Sequence, residues 1–252
     1  MDMFSLKGKT AIVTGGNRGL GYGITEGLAI AGAKVAIMAS SDSVFTAAEE
    51  LCAKGYDVLA VKCDLSDEND IKTAFDKAVN ALGGRLDIIV NNAGIQRRNK
   101  CEEFKMTDWD DVLNVNLRAV FTLCQLSGQH MLKNNGGKII NLASLLSFFG
   151  GFTVPAYAAA KGGVAQLTKA LSNEWASKGI NVNAIAPGYM ATEMNTALIE
   201  DEKRSTEILS RIPAGRWGNA EDIMGLAVFL ASNASNYLSG AIIPVDGGYL
   251  GR

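Results

Sequence analysis

Tyr157 and Lys161 stand four residues apart in Tyr-Ala-Ala-Ala-Lys, a spacing that puts both side chains on one face of a helix, about 6 Å apart along its axis. An ammonium close to a phenol stabilises the phenolate, and a group that ordinarily ionises near pH 10 is drawn toward the range useful for proton transfer. Ser144 precedes the tyrosine at the end of an apolar run, and adds a hydroxyl where the site residues of parallel sheets collect. The chain has one histidine, His130, so a Ser-His-Asp triad or a His-rich zinc site would have to be built around that residue alone. It lies in Gln129-His130-Met131-Leu132-Lys133, near the end of an expected helix, and reads as a surface residue. Acid-base chemistry here falls to other groups.

A second constellation suits a phosphate ligand. Gly15, Gly19 and Gly21 follow the first apolar run and open a helix, where a tight turn lets a pyrophosphate approach backbone N–H groups at a helix N-terminus. Asn91-Asn92-Ala93-Gly94 ends a later run; the asparagine amides can satisfy loop backbone, and the glycine admits a flat ring at close range.

These residues need a scaffold, and the hydrophobic pattern supplies one. Short β-branched runs alternate with longer helical stretches: strands are expected over 9–13, 35–38, 58–61, 86–90, 138–142, 180–185 and 241–245. Their near-continuous apolar character implies burial on both faces. Thr107 with Asp110 reads as a capping box, Asn135-Gly136-Gly137 as the close of that helix, and Asn219 with Asp222 as the opening of another. The pattern specifies an α/β fold, a single Rossmann-type domain over 1–252 with a doubly wound parallel sheet of seven strands and helices on both faces. The longest interval without a strand, about 188–217, contains Glu200-Asp201-Glu202-Lys203-Arg204 and follows a strand's carboxyl end, so it is the expected substrate lid.

Composition excludes several roles. With 24 Lys plus Arg against 26 Asp plus Glu, the net charge is −2, which argues against sequence-independent nucleic-acid binding. The uncharged run 139–160 is long enough to span a bilayer, but Asn141, Ser144, Ser147, Gly150-Gly151 and Pro155 make it a strand, a loop and a helix start. The four cysteines form no Cys-x-x-Cys pair and the N-terminal residues carry no basic, apolar leader, so a reduced cytoplasm is the expected location. No cluster suggests a metal.

Taken together, the chain resembles the short-chain dehydrogenase/reductases over essentially its whole length. Thr14-Gly15-Gly16-Asn17-Arg18-Gly19-Leu20-Gly21 matches the family's cofactor loop, Asn91 to Gly94 its Asn-Asn-Ala-Gly signature, and Tyr157 with Lys161 its catalytic pair, with Ser144 at the family's usual interval. The resemblance implies NAD(P)(H) as cofactor, bound by Gly15, Asn17, Arg18, Gly19, Leu20, Gly21, Asp64, Leu65, Asn91, Ala93, Gly94, Tyr157, Lys161, Pro187, Gly188, Met190 and Thr192. It also implies roles: Tyr157 exchanges the proton, Lys161 lowers the tyrosine pKa and holds the ribose, Ser144 bonds the substrate oxygen, and Asn116 supports a proton relay. Gly94-Ile95-Gln96-Arg97-Arg98, Asp108 to Val112, Ala186 to Thr192 and Arg211 to Gly218 are similar to the sugar-acid members, the 2-deoxy-D-gluconate 3-dehydrogenases (also described as 2-dehydro-3-deoxy-D-gluconate 5-dehydrogenases) and the gluconate 5-dehydrogenases.

That resemblance implies hydride transfer between the nicotinamide and a secondary alcohol or ketone of a sugar acid, with Gln96, Arg97, Ser144, Tyr157 and Arg216 at the substrate. Arg97 or its neighbour Arg98 would take the carboxylate with a bidentate hydrogen bond. A 3-oxoacyl carrier-protein reductase is the rival within the family, although Thr122 and Asn173 stand where those relatives usually carry basic docking residues. A non-catalytic dinucleotide-sensing protein or a methyltransferase would leave the tyrosine-lysine pair idle. At the cofactor's 2′ position two arguments conflict: Met38-Ala39-Ser40-Ser41 offers no acid before Asp42 and Arg18 suits a 2′-phosphate, whereas the sugar-acid relatives commonly use NAD. A homotetramer is expected, paired through the helices beginning near Thr107 and Tyr157, the latter through Val164, Leu167, Leu171 and Trp175.

Overall fold

The computed structural model describes residues 2–251 and contains seven strands in one parallel sheet of order β3-β2-β1-β4-β5-β6-β7. The strands are β1 Thr10–Thr14, β2 Lys34–Ala39, β3 Val58–Lys62, β4 Ile88–Asn91, β5 Gly137–Leu142, β6 Ile180–Pro187 and β7 Ile242–Val245. Each expected strand is present, with ends moved by one or two residues. The order reverses between β1 and β4, and the crevice at their carboxyl ends is where such sheets bind ligands.

Alternate residues of each strand feed two cores. Ala11 and Val13 of β1 join Val35 and Ile37 of β2 against helices α1 (Gly19–Ile30), α2 (Ser43–Ala53) and α9 (Glu221–Ala231). Ile12, Ala36 and Met38 point the other way, toward α3 (Glu68–Ala81), α5 (Ala119–Lys133) and α6 (Pro155–Trp175). Burial on both faces is why the strands carry apolar residues at consecutive positions.

One of the expected helix signals differs. Asn219 and Asp222 do bond reciprocally at the start of α9, each backbone N–H reaching the other's side chain at 2.8 and 3.1 Å. Thr107 does not cap: α4 (Met106–Leu113) begins one residue before it, with Lys105 in the capping place and no side-chain cap bond. The chain enters that helix through extended Phe104 and Lys105 after a short turn at Cys101–Glu103. The helix beyond is also not continuous, because residues Asn114–Arg118 form a π turn before α5. At its far end Asn135 and Gly136 adopt φ of 66° and 92°, and the Gly136 N–H returns to the Met131 carbonyl at 2.9 Å.

Val164 and Leu171 lie in the second core, and Leu167 and Trp175 pack against it. Two members of that series are therefore buried against the sheet, and Leu167 and Trp175 remain partly exposed. His130 is half-buried rather than superficial, with its Nε2 covered and without a hydrogen-bond partner among the described residues. No helix among those residues is long and apolar enough to cross a membrane, and the run 139–160 is β5, a turn and the start of α6. The interval 188–217 folds into short helices, α7 (Thr196–Glu200) and α8 (Glu202–Leu209), anchored by Ile208 and Ile212 to Tyr249 near the C-terminus.

Candidate active site

The end of β4 is stapled to the end of β1. Asn92 donates its side-chain amide to the carbonyls of Thr14 (2.9 Å) and Gly15 (3.2 Å), while Thr14 Oγ1 accepts from the N–H groups of Asn92 and Ala93 at 3.0 and 3.1 Å. This leaves no room for a side chain at Gly21, whose Cβ would run into the Gly15 carbonyl and the Asn92 amide. Gly15 itself turns at φ 63°. The α1 N-terminus consequently faces an open groove across bare backbone, which is what a pyrophosphate requires.

Asn91, the preceding residue, plays a different part from the one expected. It is buried at 2% exposure and points into the core, donating to Asn141 Oδ1 of β5 at 2.8 Å and to Cys124 Sγ of α5 at 3.3 Å. Asn141 passes the chain on to Thr168 of α6 at 3.0 Å. Asn91 thus ties β4, β5, α5 and α6 together from inside and does not reach the groove.

The groove is a cleft of about 990 Å³ along the carboxyl ends of the sheet. Gly15, Asn17, Arg18, Gly19, Leu20, Gly21, Asp64, Leu65, Ala93, Gly94, Pro187, Gly188, Met190 and Thr192 all line it, as do Gln96, Arg97, Ser144, Tyr157 and Lys161. Asn116 and Arg216 do not. Ser40 and Ser41 just after β2, Asn92 and Arg98 line it too, as does Glu193 at the start of the lid, which the sequence reading did not name. Asp64 turns its carboxylate back on Ser66, accepting from N–H and hydroxyl at 2.9 and 2.7 Å, and those bonds hold its pKa below the usual range. The neighbouring Cys63 thiol is pushed up to about 12, first by burial and then by Asp70, Asp64 and Asp67, so it is an inert wall.

Ser144, Tyr157 and Lys161 converge where β5 ends and α6 begins. Pro155 at the first position of α6 fixes the entry of the helix, and Ser144 caps the short turn after β5 by accepting from the Leu146 N–H at 3.2 Å. Burial raises the Tyr157 pKa, against the opposing pull of the Ser144 hydroxyl and the positive field of Arg98. Lys161 is 3% exposed and its ammonium donates to the Leu142 carbonyl at 2.6 Å, which leaves two of its three protons without an acceptor among the described residues. Burial brings its pKa down to about 8. The ammonium sits 5.6 Å from the centre of the Tyr157 ring, where its charge favours the phenolate, while burial of the phenol works the other way.

Asn116 lies in the π turn, fully buried, with Oδ1 accepting from the Ile95 N–H and Nδ2 donating to the Ile95 carbonyl, both at 2.8 Å. Its side chain is therefore committed to holding the loop after β4. A π turn inserted at such a place is a common device of functional sites, since it shifts one backbone unit out of the regular helix.

The three arginines separate clearly. Arg97 lies 3.6 Å from Asp108 and 3.6 Å from Asp111 of α4, and Arg216 forms a two-pronged pair with Asp222 at 2.6 and 2.7 Å at the start of α9. That bond holds Asp222 at about 2 and keeps Arg216 out of the cleft. Arg98 has no carboxylate partner among the described residues; it donates to Gln96 Oε1 at 2.9 Å and lies within the electrostatic reach of Tyr157, Tyr189 and Arg204 of the lid.

A groove of this size beside bare glycine backbone, with a buried ammonium short of two acceptors at its far end, fits a dinucleotide whose ribose hydroxyls reach Lys161. Comparison with known proteins agrees. A family model described as enoyl-(acyl carrier protein) reductase matches residues 15–250. The 2-dehydro-3-deoxy-D-gluconate 5-dehydrogenase of Bacillus subtilis is 52% identical over 252 residues, covering 100% of this chain and 98% of its own. The protein of the same name from Escherichia coli is 50% identical over 256 residues, covering 100% of this chain and 99% of its own. Among solved structures, a gluconate 5-dehydrogenase from Burkholderia cenocepacia in complex with NADP and tartrate superposes with a TM-score of 0.95 at 40% identity, covering 100% of this chain and 98% of that one.

Burying Lys161 has a measurable consequence. Between a folded pKa of about 8 and the ordinary 10.5 the unfolded chain binds more protons, so this group makes stability rise with pH across that window, and below it the full penalty applies. Lys161→Met should therefore raise Tm of the cofactor-free protein near neutral pH by roughly 2–5 °C, an advantage that shrinks toward about pH 10. Calorimetric melting of both proteins at the two pH values checks this, and a variant less stable at both would contradict it.

Proposed function

The chain belongs to the short-chain dehydrogenase/reductase family and is an NAD(P)-dependent oxidoreductase acting on CH–OH groups, and on that premise we propose that its substrate is a sugar acid of the 2-keto-3-deoxygluconate or gluconate type. The observation that carries this reading is a guanidinium, Arg98, without a carboxylate partner among the described residues, at the same cleft as Tyr157 and Ser144. The cofactor, when bound, supplies or accepts the hydride at its nicotinamide ring.

The residues then divide the remaining work. Tyr157 exchanges a proton with the substrate oxygen, giving it up in the reduction and taking it back in the oxidation. Ser144 donates a hydrogen bond to that oxygen and holds it beside the phenol. With the cofactor bound, the two unspent protons of Lys161 would hold its ribose hydroxyls, and the ammonium's charge favours the phenolate. Since both side-chain atoms of Asn116 serve Ile95, a proton relay through this residue runs from its main chain. Arg98 takes the carboxylate in the place expected for Arg97, because Arg97 is turned to Asp108 and Asp111. Residues 188–217 act as the lid over the substrate.

The protein is read as cytoplasmic, with its four cysteines free, and as a homotetramer. Assembly is supported by Met106 of α4 and Phe121 of α5, exposed at 66% and 44%, and by β7, an unpaired sheet edge with half-buried Ile242, Ile243 and Val245. Light scattering at micromolar protein should give about four times the chain mass, and a monomeric mass would refute it.

The substrate class is tested with Arg98→Met. Against a keto sugar acid, kcat/KM should fall by about 10- to 150-fold, the worth of a charged hydrogen bond, while an uncharged ketone is reduced as before. Equal losses on both would make Arg98 a support of its loop. A wild-type enzyme that ignores sugar acids and reduces carrier-linked 3-oxoacyl groups would replace the proposal by the rival one.

A further inference from the structure

The first turn of the lid meets the glycine loop through one ion pair, with Thr192 facing Gly19. Arg18 Nη1 and Glu193 Oε2 are 2.6 Å apart across 175 residues of chain, and a Cβ on Gly19 would lie 3.6 Å from Thr192 Cγ2. Both charged side chains are largely exposed, at 72% and 73%, so packing does not force them together and their attraction does. Arg18 and Glu193 line the same cleft as Ser40 and Ser41. Asn17, beside Arg18, donates to Ser41 and Ser43 at 3.4 and 2.8 Å, which brings the end of β2 against the loop that carries the arginine. The acid expected to read a plain ribose there is turned away, because Asp42 is paired with Lys62 at 2.6 Å and does not line the cleft.

We infer that Glu193 is a cofactor-selectivity residue, whose carboxylate competes for Arg18 with a phosphate on the adenosine 2′ oxygen. The inference rests on the reading of the cleft as a nicotinamide-dinucleotide site and adds a term to it. A phosphate monoester near neutral pH carries close to two negative charges and three acceptor oxygens, so it displaces a single carboxylate from a guanidinium. The displaced Glu193 then faces like charge and the Arg18–Glu193 bond is lost. An unphosphorylated ribose leaves the pair closed. The lid's first turn thereby sets how strongly the 2′-phosphate is preferred, because the pair moderates the arginine.

The test is isothermal calorimetry on the full chain with adenosine 2′,5′-bisphosphate and adenosine 5′-monophosphate, which report binding without turnover. Glu193→Gln should strengthen the bisphosphate by about fivefold, the upper range for an exposed pair, and leave the monophosphate within about twofold. Arg18→Gln should weaken the bisphosphate alone, and Glu193→Gln in that background should change neither ligand. A Glu193→Gln variant that shifts both ligands alike, shifts neither, or keeps its effect without Arg18 overturns the inference while the cofactor reading stands. Failure of both ligands to bind the wild type removes that reading and the inference with it.

Discussion

The bond from Lys161 Nζ to the Leu142 carbonyl is where the fold and the site meet. At 2.6 Å it joins the first turns of α6 to the last residue of β5, and it does so with a charge that the interior admits only at a cost. A hydrophobic residue would pack more cheaply there. What the lysine contributes is an ammonium with two donors unspent at a cleft wall, so part of the folding free energy is held as affinity for hydroxyl groups not supplied by the protein. Tyr157, one helical turn earlier, shares the condition: burial raises its pKa and outweighs the groups that favour the phenolate, so it is held as a neutral acid.

Such groups stay in place because rigid elements surround them. Beneath the site, Asn91, Asn141 and Thr168 form a chain of side-chain bonds that fixes the ends of β4 and β5 to α6. Above it, Asn92 fixes β4 to β1 and Asn116 fixes the loop that follows. Four asparagines thus fix the two halves of the groove in place. The region with the fewest such ties is the lid. Its helices rest on an aromatic patch in which Tyr189 packs edge-on to Trp217 and at 5.3 Å from Tyr249, and its first turn is held through exposed charge.

The sheet, its seven strands and the Ser144, Tyr157, Lys161 set were legible in the sequence because each rests on local pattern: continuous apolar runs for strands buried twice, and a four-residue spacing for one helical face. What was not legible depends on direction at a single residue. Asn91 and Asn92 look alike in a motif, but Asn91 is the last strand residue and its side chain takes the inward side of the pleat, while Asn92 has left the strand. Arg97 and Arg98 are separated in the same way, since only the three-dimensional placement of Asp108 and Asp111 decides which is paired. Arg216 finds Asp222 six residues on, a helix-start contact that its place beyond the lid did not suggest. The apolar series on α6 could face the sheet or another subunit by periodicity alone. The π turn at Asn114–Arg118 carries no sequence mark, and Glu193 acquires meaning only through Arg18, far away in the chain.

The central claim is that the site is electrostatically incomplete until a nicotinamide cofactor joins Lys161 to Tyr157. Ultraviolet difference titration of the wild type against Tyr157→Phe isolates this one phenol among the six tyrosines, with and without oxidised cofactor. The expected result is ionisation above the ordinary tyrosine value in the free protein, falling by at least about one unit in the complex as the ammonium and the ring come to share a ligand. A phenol that ionises at the same pH with and without cofactor would contradict it.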